Sequence, residues 1–242
     1  MVVLFIFKFK KCFVIIVALI FLSVAISWFM FFGNEDNSVN VSANNTLLAY
    51  DTVIIDPGHG GIDGGAVGEG GILEKDINLS ISHALNSLLS LTNISTVMTR
   101  TTDELLVDED NATASKKVQD LRQRVSFTEL YENPLFISIH QNKFPVSRYS
   151  GLQVYYSKNN PESKTVAENI QKTTKLLLQN DNKREVKKAG TNIYVLKKIE
   201  CPAVLVECGF LSNPQEARLL CDNSYQKKIA ICIFSALATS TE

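Results

Sequence analysis

An uncharged apolar segment near the N-terminus constrains this chain more than any other feature. Its 21 residues, 12–32, contain no charged side chain and are rich in Val, Ile, Leu and Phe. That length is enough for a helix to cross a bilayer. A cleavable signal peptide has a shorter apolar region, and the only plausible processing site, Val41-Ser42-Ala43, lies well beyond this one. The sequence therefore predicts an uncleaved transmembrane anchor over residues 12–32.

The charges around this segment predict its orientation. Lys8, Lys10 and Lys11 lie in a basic flank, residues 1–11, which we expect to stay in the cytoplasm. Residues 33–50 are rich in Asn and Ser and predict a polar tether. We therefore expect a single-pass protein of the cytoplasmic membrane whose domain, residues 51–242, is extracytoplasmic.

Charge and cysteine content exclude some classes of protein. Residues 33–242 carry 21 basic and 25 acidic side chains, a formal charge of −4, so a broadly basic surface for nucleic acid is excluded. Five cysteines, one of them in the apolar segment, show no C-x-x-C spacing. Two disulfides are an alternative in an oxidising exterior, but the apolar contexts of the other four favour free thiols.

Short β-rich runs alternate with amphipathic helical patterns through residues 51–242. Strands are predicted at 52–55, 96–99, 135–139, 151–156, 192–196 and 203–207, and helices at 74–91, 118–131, 161–179, from 214 and from 224. This alternation predicts one α/β domain with a mostly parallel twisted sheet and helices on both faces.

Two of the three histidines lie on loops that leave the carboxyl ends of predicted strands. His59 follows the strand 52–55, and His140 follows the strand 135–139. Open α/β sheets bind ligands at the carboxyl ends of their strands. One histidine in such a position is usually an ordinary polar residue, but two in equivalent positions suggest a metal site. His83, in the middle of a predicted helix, is interpreted as a surface or packing residue.

A catalytic zinc often has two histidines and one carboxylate as ligands, with one position left open. Glu74 supplies the carboxylate if the glycine-rich loop 58–71 folds back, because it begins the next helix. Glu69 and Asp63 are nearer competitors within that loop, where a carboxylate is usually solvated. The loop completes no G-x-G-x-x-G pattern, so phosphate binding is disfavoured.

A second carboxylate, Glu207, ends the most apolar predicted strand, residues 203–207. Partial desolvation would raise its pKa towards neutral pH and suit it to general acid–base catalysis. A solvent-facing glutamate at a strand end is an equally common arrangement. The sequence pattern alone leaves these two readings open.

Four motifs together resemble the zinc-dependent N-acetylmuramoyl-L-alanine amidases of the Amidase 3 family, over residues 52–238. They are Asp56-Pro57-Gly58-His59-Gly60-Gly61, Glu74-Lys75-Asp76-Ile77-Asn78-Leu79, Ser138-Ile139-His140-Gln141-Asn142 and Val206-Glu207-Cys208-Gly209-Phe210-Leu211-Ser212-Asn213. The resemblance implies that His59, Glu74 and His140 bind one Zn²⁺ and that Glu207 is the catalytic carboxylate. The implied substrate is peptidoglycan, cleaved between N-acetylmuramic acid and L-alanine of the stem peptide.

Other residues receive lesser roles. Asp56 and Asn142 are the nearest candidates to orient the histidines, and the resemblance gives Arg124 and Arg100 structural or substrate-orienting roles. Gln141 and Cys208 depart from the small or apolar residues frequent in the family. Gln141 is expected to alter the pocket wall, and Cys208 places a thiol beside Glu207 that could bind zinc wrongly.

The architecture is similar to the branch of membrane-anchored, single-domain, germination-specific amidases, which act in forming the muramic-δ-lactam of spore cortex, in the space around the developing spore. Because an acidic domain has no obvious means of holding an anionic wall polymer, an envelope protein partner is expected to place or activate it. Two alternatives remain open: a catalytically silent wall-binding protein, and a zinc peptidase that trims stem peptides.

Overall fold

A computed structural model of the protein describes residues 49–107 and 115–238. Six strands form one sheet, and six α-helices and one short 3₁₀ helix, Glu69–Gly71, connect them within these residues. The strands are β1 (Thr52–Pro57), β2 (Ser95–Met98), β3 (Pro134–Asn142), β4 (Gln153–Tyr156), β5 (Lys187–Lys188) and β6 (Ala203–Phe210). The helices are α1 (Glu74–Leu89), α2 (Ser115–Thr128), α3 (Glu162–Leu177), α4 (Tyr194–Lys198), α5 (Pro214–Leu220) and α6 (Asn223–Ala238).

The sheet has the order β2-β1-β3-β6-β4-β5. All neighbouring strands are parallel except β4 and β6, which are antiparallel. Alternate side chains of each strand point to opposite faces, and each face carries its own apolar core. The larger core includes Ile137 and Val206 with residues of α1, α3 and α6, and the smaller core includes Phe136 and Leu205 with residues of α2 and α4. The predicted fold class, a mostly parallel sheet with helices on both faces, is confirmed.

The chain order creates a crevice between β1 and β3. From β1 the chain passes through α1 to β2 on one side, and then through α2 to β3 on the other side. Such a reversal of strand order is where open α/β sheets bind their ligands, at the carboxyl ends of the strands. His59 and His140 both lie at this end.

Helix α1 shows why the sequence pattern was informative. Ile77, Ile81, Leu85 and Leu89 recur at intervals of four residues, and all are buried against the larger core. The helix begins at Glu74, and Asp76 adds a second carboxylate to its first turn, where the helix dipole favours negative charge. The predicted start of this helix is confirmed.

One predicted strand is wrong. Residues 192–196 include the β-rich run Ile-Tyr-Val-Leu, but the chain forms helix α4 from Tyr194 to Lys198. A short apolar run does not distinguish a strand from a helical turn, and here Val195 and Leu196 are both buried in the smaller core by one turn of helix. Strand β5, with only two exposed lysines, carried no sequence signal.

The predicted anchor (12–32), basic flank (1–11) and most of the tether (33–50) lie outside the described residues. Among residues 49–107 and 115–238, no helix has both the length and the apolar character needed to span a membrane.

Candidate metal centre and active site

The loop after β1 is held in an unusual conformation by two buried arginines. His59 has a φ of 63°, in the left-handed region that non-glycine residues rarely adopt. Arg124 donates hydrogen bonds to the carbonyl oxygens of Pro57 (2.9 Å) and His59 (2.8 Å), and Arg100 donates to those of Pro57 (2.9 Å) and Gly58 (3.0 Å). These bonds satisfy a row of carbonyl groups and stabilise the strained backbone that presents His59.

Glu74 is fixed by hydrogen bonds to both carboxylate oxygens. Oε2 accepts a bond from the backbone N–H of Ala66 (2.7 Å), and Oε1 accepts bonds from the backbone N–H of Gln141 (3.0 Å) and from Asn78 Nδ2 (3.3 Å). The side chain is buried at the start of α1. Burial opposes ionisation, but the hydrogen bonds and charges of His140 and His59 hold the pKa of Glu74 well below its usual range.

Three side chains converge at the predicted metal position. His59 Nε2 lies 3.2 Å from Glu74 Oε2, and His140 Nδ1 lies 2.9 Å from Glu74 Oε1. One potential ligand atom from each of the three residues lies within 4.8 Å of the others, so the group could hold a metal ion. Two imidazole nitrogens and one carboxylate oxygen are a donor set that catalytic zinc commonly uses.

The second ring nitrogen of His59 contacts a carboxylate of the glycine-rich loop, Asp63. Asp63 Oδ2 lies 2.9 Å from His59 Nδ1. A tight turn with two backbone hydrogen bonds of 3.0 Å between Gly60 and Asp63 returns this carboxylate to the histidine. Burial lowers the pKa of His59, but hydrogen bonds with Asp63 and Glu74 outweigh that effect and raise it to about 9. A carboxylate on the outer nitrogen fixes the ring of a metal-binding histidine.

Two glycines make room for these groups. A Cβ atom on Gly58 would lie 2.2 Å from the His140 ring. A Cβ atom on Gly65, which has a φ of 70°, would lie 2.6 Å from His59 and 2.7 Å from Glu74 Oε2. The glycine-rich loop therefore lets the backbone pass close to the three converging side chains, which is one of the uses of glycine that sequence alone allowed.

Glu207 faces the same cavity as the histidines. It lies opposite His140 in the parallel pairing of β3 and β6, on the sheet face of Leu205. Its Oε2 is buried and has no hydrogen-bond partner within the described chain. Burial, with a smaller contribution from Glu74, raises the pKa of Glu207 to about 7 although the two histidines lower it. An unpartnered buried carboxylate is costly unless it serves a ligand or a reaction.

The cavity has a volume of about 240 Å³. It is lined by His59, His140 and Glu207 together with residues of α2 and of the segment 192–196. Residues 192–196, which were predicted to form a strand, thus lie beside the site as a short loop and the start of helix α4. Amphipathic periodicity could not have placed those residues there, because the placement depends on the packing of α4 on the sheet.

Asp56 and Arg124 form a buried ionic group beside the site. Arg124 pairs with Asp56 and donates to Asp120 Oδ2 (2.7 Å), while Asp56 also accepts from Thr99 (2.7 Å) and Ser138 (2.7 Å). Burial raises the pKa of Asp56, but Arg124 and these hydroxyl groups produce a net lowering. Within the described residues Asp56 forms no hydrogen bond with either histidine, so its observed partners are structural and Asp63 contacts His59 instead.

Asn142 lies at the end of β3, where its carbonyl oxygen accepts a bond of 2.8 Å from the backbone N–H of Leu211. No side-chain hydrogen bond joins Asn142 to a histidine in the part of the chain that the structure describes. Arg124 and Arg100 hold the backbone of the His59 loop through the hydrogen bonds given above.

The remaining residues of interest are not among the three converging side chains. His83 lies on the exposed side of α1, with Nε2 3.0 Å from the carbonyl oxygen of Thr101. Cys208 is buried in the larger core, on the sheet face opposite Glu207, and burial raises the pKa of its thiol. It is therefore not positioned to bind the same metal. Gln141 contacts Glu74 through its backbone and Asn78 through its side chain (3.1 Å).

Four cysteines are free within the described residues: Cys201, Cys208, Cys221 and Cys232.

A doubly wound sheet with a His-Glu-His group at its switch point and a buried carboxylate beside it has the arrangement of a metal-dependent hydrolase. The N-acetylmuramoyl-L-alanine amidase family, Amidase_3, matches residues 53–239. The chain belongs to this family.

Individual relatives agree with the family match. The germination-specific N-acetylmuramoyl-L-alanine amidase of Bacillus subtilis (strain 168) is 39% identical over 191 residues, which cover 78% of this chain and 79% of that protein. The amidase LytC of the same organism is 33% identical over 210 residues, 85% of this chain but only 39% of that longer protein. The CwlD amidase from Clostridioides difficile, solved in complex with the GerS lipoprotein, has a TM-score of 0.73 and 40% identity, covering 77% of this chain and 95% of that chain.

Proposed function

We propose that this protein is a zinc-dependent peptidoglycan amidase that cleaves the bond between the lactyl group of N-acetylmuramic acid and L-alanine of the stem peptide. One observation carries the proposal: His59, Glu74 and His140 converge within 4.8 Å, and the unpartnered oxygen of Glu207 borders the same cavity. In this proposal the three converging residues hold the zinc ion and Glu207 is the catalytic carboxylate.

When bound, zinc supplies Lewis acidity, which polarises the scissile carbonyl and lowers the pKa of a water molecule to about 7. Glu207, with a pKa raised to about 7, takes the proton of the attacking water and delivers it to the departing alanine nitrogen. Asp63 holds the His59 ring, and backbone N–H groups hold Glu74. The hydrolysis yields a peptide-free lactyl carboxylate and a stem peptide with a free L-alanine amine.

Digestion of purified peptidoglycan with the zinc-loaded protein tests the reaction. Mass spectrometry should detect stem peptides that begin with L-alanine, together with muramic acid residues that have lost their peptides. Stem peptides shortened only at their carboxyl ends would support the zinc peptidase instead. If neither product is detected, whether or not cell extract is added, the result would support the catalytically silent wall-binding protein.

We further propose that the domain, residues 51–242, acts outside the cytoplasmic membrane, in forming the muramic-δ-lactam of spore cortex. The similarity to a germination-specific amidase supports this role. Strains that lack the gene should form cortex without muramic-δ-lactam, and unchanged cortex would contradict the role. The similarity to an amidase solved with a lipoprotein supports an envelope protein partner for placement or activation.

We also propose that residues 12–32 anchor the chain in the cytoplasmic membrane, with residues 1–11 in the cytoplasm and 33–50 as the tether. The basis is the uncharged length of this segment and the lysines before it. Full-length protein should remain in the membrane fraction at high salt with its N-terminus intact. Release of a shortened chain into the medium would contradict an uncleaved anchor.

A further inference from the structure

Arg184 lies near Glu207 but has no role in the reaction described above. Strand β4 runs antiparallel to β6 with Gln153 opposite Glu207, and β5 runs parallel to β4 beginning at Lys187. The residues just before β5 therefore lie at the same end of the sheet as the carboxyl ends of β3 and β6. Arg184 Nη1 donates a hydrogen bond of 3.1 Å to Gln153 Oε1. The buried side chain of Gln153 thus links Arg184 to the position on β4 that pairs with Glu207 on β6.

The guanidinium group of Arg184 is held in a fixed orientation. Nε donates a hydrogen bond of 2.6 Å to the carbonyl oxygen of Ser150. The guanidinium carbon lies 4.3 Å from the centre of the Phe210 ring and 5.7 Å from that of Tyr149. Stacking of this kind orients the planar group and leaves its edge available for hydrogen bonding.

No carboxylate forms an ion pair with Arg184 within the described residues. Glu216 is the nearby acid that could do so, but its two oxygens accept bonds of 2.8 Å from the backbone N–H groups of Gly151 and Phe210. The hydrogen bonds found for Arg184 use Nε and Nη1. Burial raises the pKa of Glu216 although Arg184 is among the groups that lower it, so these two charges lie near each other without a direct ion pair. Nη2 has no hydrogen-bond acceptor within the described residues.

We propose that Arg184 binds a carboxylate of the stem peptide, two or three residues from the scissile amide. This inference rests on the proposed amidase function. Opposite residues of antiparallel strands, such as Gln153 and Glu207, lie about 4.5–5.5 Å apart. Adding the length of the Gln153 side chain places the guanidinium group of Arg184 about 10 Å from Glu207. An extended peptide advances about 3.4 Å per residue, so the second or third stem residue reaches Arg184.

The chemistry of the substrate suits this position. A stem peptide carries a free carboxylate on its D-glutamyl second residue, and on its third residue when that residue is a diamino dicarboxylic acid. An arginine with an oriented planar group recognises such a carboxylate through charge-assisted, bidentate hydrogen bonds. Arg184 lines a cavity of about 590 Å³ together with Arg148, Tyr149, Lys183 and two acids, Asp181 and Glu216, and this cavity offers room for the remainder of the stem.

Matched substrates test the inference. Zinc-loaded full-length protein in detergent would be assayed on glycan-linked stem peptides in three forms: unmodified, amidated at the second-residue carboxylate, and amidated at the third. We expect one amidation to lower kcat/KM of the parent protein about tenfold, because a charge-assisted hydrogen bond is lost. Arg184→Gln should lose about tenfold on the unmodified substrate and show no further loss on that amidated one.

Two variants separate substrate binding from folding. Arg184→Lys keeps the charge without the planar group and should show a partial loss on the unmodified substrate. Arg122→Gln, an exposed arginine on α2, should behave as the parent protein. Equal sensitivity of the parent protein and Arg184→Gln to both amidations would overturn the inference. Failure of the parent protein to cleave any of the three substrates would instead contradict the proposed function.

Discussion

At the scale of single residues, the environment of Glu207 is the feature most directly connected to chemistry. The sequence predicts that Glu207 ends a strand, but it does not distinguish a general acid–base catalyst from a glutamate that only faces solvent. The structure adds that Oε2 is buried without a partner and that burial raises the pKa to about 7. A glutamate that only faced solvent would show neither property.

Replacement of this carboxylate separates zinc binding from catalysis. Glu207→Gln should retain near-stoichiometric zinc, because Glu207 is not among the three converging residues, but should lose about 10²–10⁴-fold in kcat for want of a proton acceptor. Glu200→Gln, at an exposed glutamate shortly before β6, should retain parental activity. Release of stem peptide by Glu207→Gln at the parental rate would remove Glu207 from the mechanism.

Asp63 shows what the sequence could not determine at this scale. Its place in a glycine-rich loop favours a solvated carboxylate, yet Asp63 hydrogen-bonds the outer nitrogen of His59. Its position depends on the left-handed backbone of His59 and on the turn between Gly60 and Asp63. Backbone angles of that kind are imposed by tertiary bonds from Arg124, which spacing alone does not reveal.

At the scale of elements, the loop between β1 and α1 forms the site because its glycines allow close approach. Gly58→Ala would place a methyl group against the His140 ring, so the variant should lose most of its zinc. Gly70→Ala is a matched control, because a Cβ atom there meets nothing within 4 Å although φ is 75°. It should bind zinc normally and lose about 1 kcal/mol of stability.

Zinc content and urea denaturation of the two glycine variants test this expectation. Normal zinc binding by Gly58→Ala would show that zinc binding does not require the close contact between Gly58 and the His140 ring.

The elements also show where sequence patterns succeed and fail. Strands β1, β3 and β6 were predictable because they are buried on both faces and read as continuous apolar runs. Residues 192–196 are also rich in β-forming residues but begin a helix. Five residues are too few to distinguish the two-residue period of a strand from the 3.6-residue period of a helix. His59, His140 and Glu207 could be proposed from the sequence because they lie at ends of predictable strands, and Glu74 because it begins a helix. The cavity wall formed by α4 was missed because α4 itself was misassigned.

At the scale of the whole molecule, a buried ionic group links three elements. Arg124 on α2 pairs with Asp56 on β1, which also accepts a bond from Ser138 on β3. Arg124→Met should lower the free energy of unfolding by about 3–5 kcal/mol at pH 7, because it leaves Asp56 buried without its partner charge. Arg122→Met, on the same helix but exposed, should have little effect.

The pH dependence of this loss follows from the lowered pKa of Asp56. A carboxyl group with a depressed folded-state pKa contributes stability above its unfolded pKa, and that stability is lost as pH falls through the folded value. Without Arg124, burial raises the pKa of Asp56 in the variant, so the difference between the parent protein and Arg124→Met should shrink as the pH falls from 7 to 3. Urea denaturation at pH 7 and pH 3 measures it, and an equal difference at both pH values would contradict the assignment to Asp56.

The zinc content of purified variants tests the whole account most directly. Elemental analysis should find about one zinc per chain in the parent protein and in His83→Ala, whose side chain lies away from the site. His59→Ala, Glu74→Gln and His140→Ala should each lose the metal and the release of L-alanine-terminated peptides together. An active parent protein without zinc, or full zinc in all three ligand variants, would contradict the account.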